Sequence, residues 1–119
     1  MHTVVEMPRF IKRSAEAGMS EMEREELIDF LASNPAAGDE IVHTGGCRKI
    51  RWAGKGKGKR GGYRVITFFS GETIPVFLLT VYAKNERADL SPDEARELGK
   101  LTKALVANYK KMVRPLRRA

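Results

Sequence analysis

The residues in this sequence best suited to chemistry are cations crowded into one stretch. From Arg48 to Arg64 the chain has eight lysines and arginines and no acidic residue, whereas residues 1–42 hold nine acidic residues and four basic ones. Clustered cations are typical of surfaces that bind polyanions, because phosphate groups reward closely placed lysine and arginine. With a net charge of +7, the chain is expected to bind nucleic acid or an acidic protein.

Some of these cations are spaced as on β-strands. In "RKIRWA", alternation places Lys49 and Arg51 on one face and Ile50 and Trp52 on the other. A solvated strand face is one interpretation of this pattern. Such a density of like charge without interspersed acids favours a ligand site instead. We expect a sheet with a core side and a cationic side, and we predict that five side chains converge on adjacent strands: Lys49, Arg51, Arg64, Tyr82 and Lys84.

The glycine-rich segment "GKGKGKRGG" joins two of these strands. Its glycines let backbone amides approach a phosphate closely. It does not fit a P-loop, because Arg60 stands where serine or threonine is required and a strand follows instead of a helix. We predict that four residues bind backbone phosphates without selecting sequence: Lys55, Lys57, Lys59 and Arg60.

The elements around this stretch predict an α+β domain over residues 1–119. A β-branched start precedes a helix from Pro8 to about Gly18, and the capping-box pair Ser20 and Glu23 begins a second helix that ends before Pro35. Three antiparallel strands follow, at 48–53, 62–70 and 74–84. A last helix begins after Ser91 and is expected to lay one face on the sheet, with Leu98, Leu101, Leu105, Tyr109 and Met112 on that face.

Composition and cysteine content predict a cytoplasmic protein. Cys47 is the single cysteine, so no internal disulfide can form, and the N-terminus lacks the features of a signal peptide. No apolar run reaches the roughly 20 residues that a membrane span requires. His43 and Cys47 would supply only two metal ligands, so no metal site or cofactor is expected.

The sequence resembles the RelE superfamily of toxin endoribonucleases from type II toxin–antitoxin modules, specifically its HigB-like branch. The most specific stretches are "TGGCRKIRWAGKGKGKRGGYRVITFF" and "IPVFLLTVYAKNERADLSPDE". The resemblance implies a curved antiparallel sheet with a C-terminal helix packed on it. It also implies cleavage of mRNA, often in the ribosomal A site, and silencing by a neighbouring antitoxin, which we expect to be a helix-turn-helix protein.

The resemblance assigns roles to individual residues. Lys49 and Arg51 are similar to two cationic positions of the family, Arg64 to the arginine that contacts the scissile phosphate, and Lys84 to the basic position of the last strand. Leu90 stands where several relatives have a catalytic tyrosine. The general acid and base are therefore left open.

RNA supplies its own nucleophile, the 2′-OH, so cleavage requires positioning, proton transfer and charge stabilisation but no metal. Arg64 would hold the phosphate, while Arg51 or Lys84 neutralises the growing charge. Lys49 is the candidate for proton transfer, because a lysine among cations loses preference for its charged form. His43 and Glu86 are weaker candidates for this step.

Two questions stay open at the level of sequence. Tyr82 either stacks on a splayed base or packs in the core. The basic sheet and loop also suit a non-catalytic RNA- or DNA-binding module, or a surface that binds an acidic protein segment. A gene for a small helix-turn-helix protein beside this one would favour the toxin.

Overall fold

The computed structural model describes residues 1–53, 62–71, 73–84 and 89–113, with side chains in the last helix described as far as Tyr109. The predicted α+β class is confirmed. No helix in these ranges is both long and apolar enough to span a bilayer. In chain order the elements are β1 (Val4–Glu6), α1 (Pro8–Glu16), α2 (Glu21–Ser33), β2 (Asp39–Glu40), β3 (Cys47–Trp52), β4 (Tyr63–Phe68), β5 (Val76–Ala83) and α3 (Pro92–Val113).

The sheet has five strands in the order β1-β5-β4-β3-β2. The predicted antiparallel pairing of β3 with β4 and of β4 with β5 is confirmed. Two features go beyond the prediction. The N-terminal strand β1 lies parallel to β5, so the sheet is mixed. A two-residue strand, β2, pairs with β3 at the other edge of the sheet. This strand was not predicted, because its residues Asp39 and Glu40 have low β propensity.

Helices α1 and α2 cover one face of the sheet. The predicted capping box begins α2, since Ser20 Oγ accepts from the backbone N–H of Glu23 at 3.1 Å and Glu23 Oε1 accepts from that of Ser20 at 2.8 Å. Helix α2 ends at Ser33, because Pro35 disfavours helical geometry at the residue before it. The core on this side contains Phe10, Leu27 and Leu31 from the helices and Ile50, Val65, Val76, Leu78 and Val81 from the sheet.

Helix α3 covers part of the opposite face. Its Leu98 and Leu105 pack in a second apolar cluster with Cys47, Ile66 and Phe68. The expectation of one core side and one cationic side was therefore wrong. Both faces contain core, all six residues of β4 are buried, and the cations occupy the end of one face that leads toward residues 54–61. The physical reason is that a central strand between two helical layers is covered on both sides.

The orientation of α3 differs from the prediction at one position. Leu101 was expected on the packed face but is 37% exposed. Thr102 takes the buried place, and its Oγ1 donates to the carbonyl of Thr44 at 3.0 Å. The helix is thus docked partly through a hydrogen bond to the turn before β3, and a periodicity count of apolar residues alone does not detect that contact. The side chain of Met112 lies outside the described part.

Candidate functional site

Strand register places three predicted site residues in one row across the sheet. Arg51 on β3 lies directly opposite Arg64 on β4, and Arg64 lies directly opposite Tyr82 on β5. We call these three residues the central row. Side chains that are directly opposite each other have Cβ atoms about 5 Å apart, so Arg51 and Arg64 project from adjacent points on the same face.

Lys49 and Lys84 flank the central row. Lys49 pairs with Ile66, one same-face step along β3 from Arg51. The backbone N–H of Lys84 donates to the carbonyl of Gly62 at 3.0 Å, which continues the β4–β5 ladder one residue past the strand. Alternation along β5 places Lys84 on the face of Tyr82. The structure therefore brings together the five residues predicted to converge. Lys55, Lys57, Lys59, Arg60 and Glu86 lie outside the described residues.

The members of this group differ in exposure. Arg51 and Lys84 are exposed, whereas Arg64 is 6% exposed and donates from Nη1 to the carbonyl of Tyr63 at 3.4 Å. Tyr82 is 4% exposed and belongs to the apolar cluster under α3. Burial holds the Arg64 side chain in a defined place, as a phosphate-binding arginine requires. For Tyr82, burial favours packing over stacking in this state of the protein.

Lys49 makes an ion pair that the sequence did not predict. Its Nζ lies 3.0 Å from Oδ1 of Asp89, and the same oxygen accepts from the backbone N–H of Leu90 at 2.8 Å. The Leu90 N–H and the Lys49 ammonium lower the pKa of Asp89. Asp39 on the edge strand β2 lies directly opposite Lys49 on the other side. Lys49 is thus bordered by carboxylates and is not packed among cations alone.

The Asp89 contact was missed because it joins residues 40 positions apart. In the sequence, the only available signal was an acidic residue two positions before the N-cap Ser91, which is also common in helices with no functional site. The ion pair bears directly on Lys49 as the candidate for proton transfer. Lys49 must release Asp89, at least transiently, before it can contact a substrate hydroxyl.

The other face of the site is braced by α2. The phenol of Tyr63, next to Arg64, hydrogen-bonds to the buried carboxylate of Glu23; burial and this negatively charged partner raise its pKa. Trp52, next to Arg51, lies 5.3 Å from Phe30, measured between ring centroids. These two contacts tie the ends of β3 and β4 to the helix behind them. The central row is therefore backed by a packed helical layer.

Two other reactive side chains lie away from the central row. Cys47 is fully buried at the far end of β3, and burial raises the pKa of its thiol to about 11. A protonated, inaccessible thiol does not act as a nucleophile. His43 is exposed in the turn before that same end of β3. Neither residue is placed to exchange a proton with a substrate bound at Arg51 and Arg64.

A cavity of about 580 Å³ adjoins the β5 end of the central row. It lies between the start of α1, strand β5 and the start of α3. Tyr82 and Leu79 line it from the sheet, Leu90 and Leu98 from the segment around the start of α3. Charged residues at its borders come from two helices: Arg9 and Arg13 from α1, Glu94 and Glu97 from α3.

The fold and this site define a small α+β protein with a cationic sheet end, and comparison with known families agrees. Residues 11–118 match the family described as "RelE toxin of RelE / RelB toxin-antitoxin system". The chain belongs to this RelE toxin family, and that membership implies an antitoxin as a partner. RelE family toxins are known as mRNA-cleaving proteins.

A solved structure shows the same fold. A double arginine-to-alanine mutant of the E. coli toxin RelE, in the free state, superposes with a TM-score of 0.51 at 18% sequence identity, covering 71% of this chain and 85% of that one. At this identity the match supports the architecture. The roles of individual residues must be argued from the geometry of this chain.

Proposed function

We propose that this chain is the toxin of a type II toxin–antitoxin pair, of the HigB-like branch, and that it is a metal-independent endoribonuclease acting on mRNA in the ribosomal A site. The main supporting observation is the direct pairing of Arg51 with Arg64, with Lys49 and Lys84 beside them. Like charges directly opposite each other destabilise a sheet. An arrangement of this kind is best explained by an anionic ligand that binds between the two guanidinium groups.

In the proposed reaction, Arg64 holds the scissile phosphate. A guanidinium can donate two parallel hydrogen bonds to non-bridging oxygens, which fixes the phosphate for in-line attack by the neighbouring 2′-OH. Negative charge grows on those oxygens as the new P–O bond forms. Arg51 and Lys84, both exposed on the same face, stabilise this charge. The products are a 2′,3′-cyclic phosphate and a 5′-hydroxyl end.

Proton transfer is assigned to Lys49. The 2′-OH must lose a proton and the 5′-oxygen must gain one, and Lys49, one same-face step along β3 from Arg51, is able to exchange protons. Binding of RNA would compete with Asp89 for the ammonium group. Leu90 occupies the position aligned with the tyrosine of several relatives, and a leucine side chain cannot exchange protons. The phenol of Tyr82 is buried under α3, at 4% exposure. Proton transfer is therefore assigned to the lysine and to solvent.

The test is expression of the toxin, followed within minutes by mapping of new mRNA 5′ ends. Arg64→Ala removes the phosphate contact, and Arg64→Lys keeps the charge but loses the bidentate geometry. Both should lower the cleavage rate by about 100-fold or more, the range for loss of one charge-stabilising group. Arg48→Lys is the matched control, because Arg48 is also on the sheet but faces α1 and α2.

The pattern of ends separates the alternatives. New ends phased by codon would indicate cleavage on the ribosome, and unphased ends would indicate a free ribonuclease. Absence of new ends with a folded protein that still binds RNA would favour the non-catalytic binding module. Undiminished cleavage by a folded Arg64→Ala variant would remove Arg64 from the site.

A further inference from the structure

We propose that the cavity between α1, β5 and α3 is a pocket for one nucleobase of single-stranded RNA, adjacent to the phosphate held at Arg51 and Arg64. The inference rests on the proposed function and goes further, because it locates where this protein distinguishes one base from another. The central row binds backbone and carries no sequence information. A separate base site is needed for any preference.

The cavity is continuous with the central row. Tyr82 is both the last member of the central row and a lining residue of the cavity. A strand of RNA whose phosphate lies between the arginines thus has the cavity within about one nucleotide, since neighbouring strands are about 4.8 Å apart. The volume of about 580 Å³ falls in the range of small-ligand sites, about 300–1,000 Å³.

The lining of the cavity suits a planar base with polar edges. The sheet and the α3 start supply apolar surface, including Leu79, Leu90 and Leu98, against which a planar base can pack. The two helices supply groups that read base edges. Glu97 can accept from an exocyclic amine, and Arg9 or Arg13 can donate to a purine edge.

The charges argue against a phosphate in this pocket. Among its described lining residues the two arginines of α1 are matched by two glutamates of α3. Around the central row the described charges are four cations, Arg51, Arg64, Lys49 and Lys84, and two carboxylates, Asp39 and Asp89, both beside Lys49. Carboxylates repel a phosphate but accept hydrogen bonds from a base. The change from an excess of cations to balanced charge along the face therefore matches the change from backbone to base along a nucleotide.

The experiment uses methyl NMR of the full chain with 2′-O-methyl tetranucleotides, which cannot be cleaved because the nucleophile is blocked. Oligonucleotides of each base are compared with an abasic one of the same length. Methyl signals of Leu90 and Leu98 are expected to shift with base-containing oligonucleotides and to stay in place with the abasic one. Signals near Arg64 are expected to shift with both.

A variant tests the pocket by filling it. Leu101 lines the cavity and is 37% exposed, so Leu101→Trp adds volume at the rim without disturbing the core. It should weaken binding of base-containing oligonucleotides about tenfold, within the range for loss of one stacked base, and leave binding of the abasic one unchanged. Ile11→Trp is the matched control, because Ile11 is a helix residue of similar exposure, 42%, outside the cavity lining.

The outcomes separate this inference from the proposed function. If base-containing oligonucleotides shift the signals near Arg64 but not the methyl signals of Leu90 and Leu98, the base pocket is wrong and the phosphate site is supported. No shift anywhere with any oligonucleotide would overturn both. If Leu101→Trp weakens binding of the cognate antitoxin and leaves RNA binding intact, the cavity is a protein contact and the base pocket is wrong.

Discussion

At the scale of single residues, the ion pair between Lys49 and Asp89 is the feature that most affects the proposed chemistry. Asp89 presents a carboxylate to Lys49 at 3.0 Å, much as a phosphate oxygen would. It is held by the backbone N–H of Leu90 and is 65% exposed. An exposed ion pair contributes at most about 1 kcal/mol. Asp89 is therefore a weak, displaceable competitor for the anion that Lys49 is proposed to bind.

Removal of this competitor is predicted to tighten RNA binding. Asp89→Asn keeps an oxygen for the Leu90 N–H but removes the negative charge, so affinity for a non-cleavable oligonucleotide should rise up to about fivefold at low salt. The gain should shrink as salt screens the site. Fluorescence anisotropy across a salt series measures both effects. Asp93→Asn, on the exposed first turn of α3, is the control.

The same pair has a defined pH dependence. The pKa of Asp89 is lowered in the fold, so its contribution to stability is present above the unfolded pKa of about 3.9 and is lost as pH falls through the lower folded value. Affinity of the parent protein should therefore approach that of Asp89→Asn only in acid below pH of about 4. Identical affinities of the two proteins at neutral pH and low salt would show that Asp89 does not compete for Lys49.

At the scale of elements, the position of β4 depends on its attachment to α2. The predicted result of Tyr63→Phe is a loss of about 1 kcal/mol of unfolding free energy, because the carboxylate of Glu23 is 6% exposed and loses one of its hydrogen bonds. Chemical denaturation measures the loss. Tyr109→Phe is the control, since Tyr109 is half-buried on α3 and packs against the second apolar cluster.

Alkaline pH adds a second readout for this contact. Folding raises the pKa of Tyr63, so the unfolded state ionises first and the parent protein loses stability above about pH 10. Tyr63→Phe lacks this loss, and the stability difference between the two proteins should narrow as pH rises. A difference that stays constant to pH 11 would mean that the phenol is not held by Glu23.

Much of the secondary structure was predictable, because the sequence patterns that mark the ends of helices and the faces of strands involve neighbouring residues. The capping box at Ser20, the stop before Pro35 and the alternation in β3 each depend on residues within a few positions, and each is found in the structure. Alternation also predicted which side chains of β3, β4 and β5 share a face. The exposed position of Leu101 was not predictable, because the docking of α3 through Thr102 and Thr44 joins residues 58 positions apart.

At the scale of the whole molecule, what the sequence did not indicate is the order of its layers. Strand β1 pairs with β5 across some 70 residues, and α3 returns over the face that carries the cations. Neither feature has a local signal. The ion pair at Lys49 and the cavity beside Tyr82 both depend on that return of α3, so they became visible only in the structure.

Charge is segregated along the chain of this molecule. Lys55, Lys57 and Lys59 lie between the two strands that hold the arginine pair, while acidic residues concentrate in residues 1–42. If these lysines contact RNA phosphates, replacing all three by glutamine should flatten the log-log salt dependence of binding by about 2 units, at about 0.7 per phosphate contact for a single strand.

The matched control changes the net charge equally, from +7 to +4, by replacing Lys12, Lys100 and Lys103, which are exposed on α1 and α3. Affinity at one salt concentration should fall somewhat for both variants, since both reduce the overall attraction. Only the variant lacking Lys55, Lys57 and Lys59 should show a shallower salt dependence of binding, because only direct phosphate contacts release counterions. Equal slopes for the two variants would mean that the segment between β3 and β4 steers RNA from a distance and does not bind it.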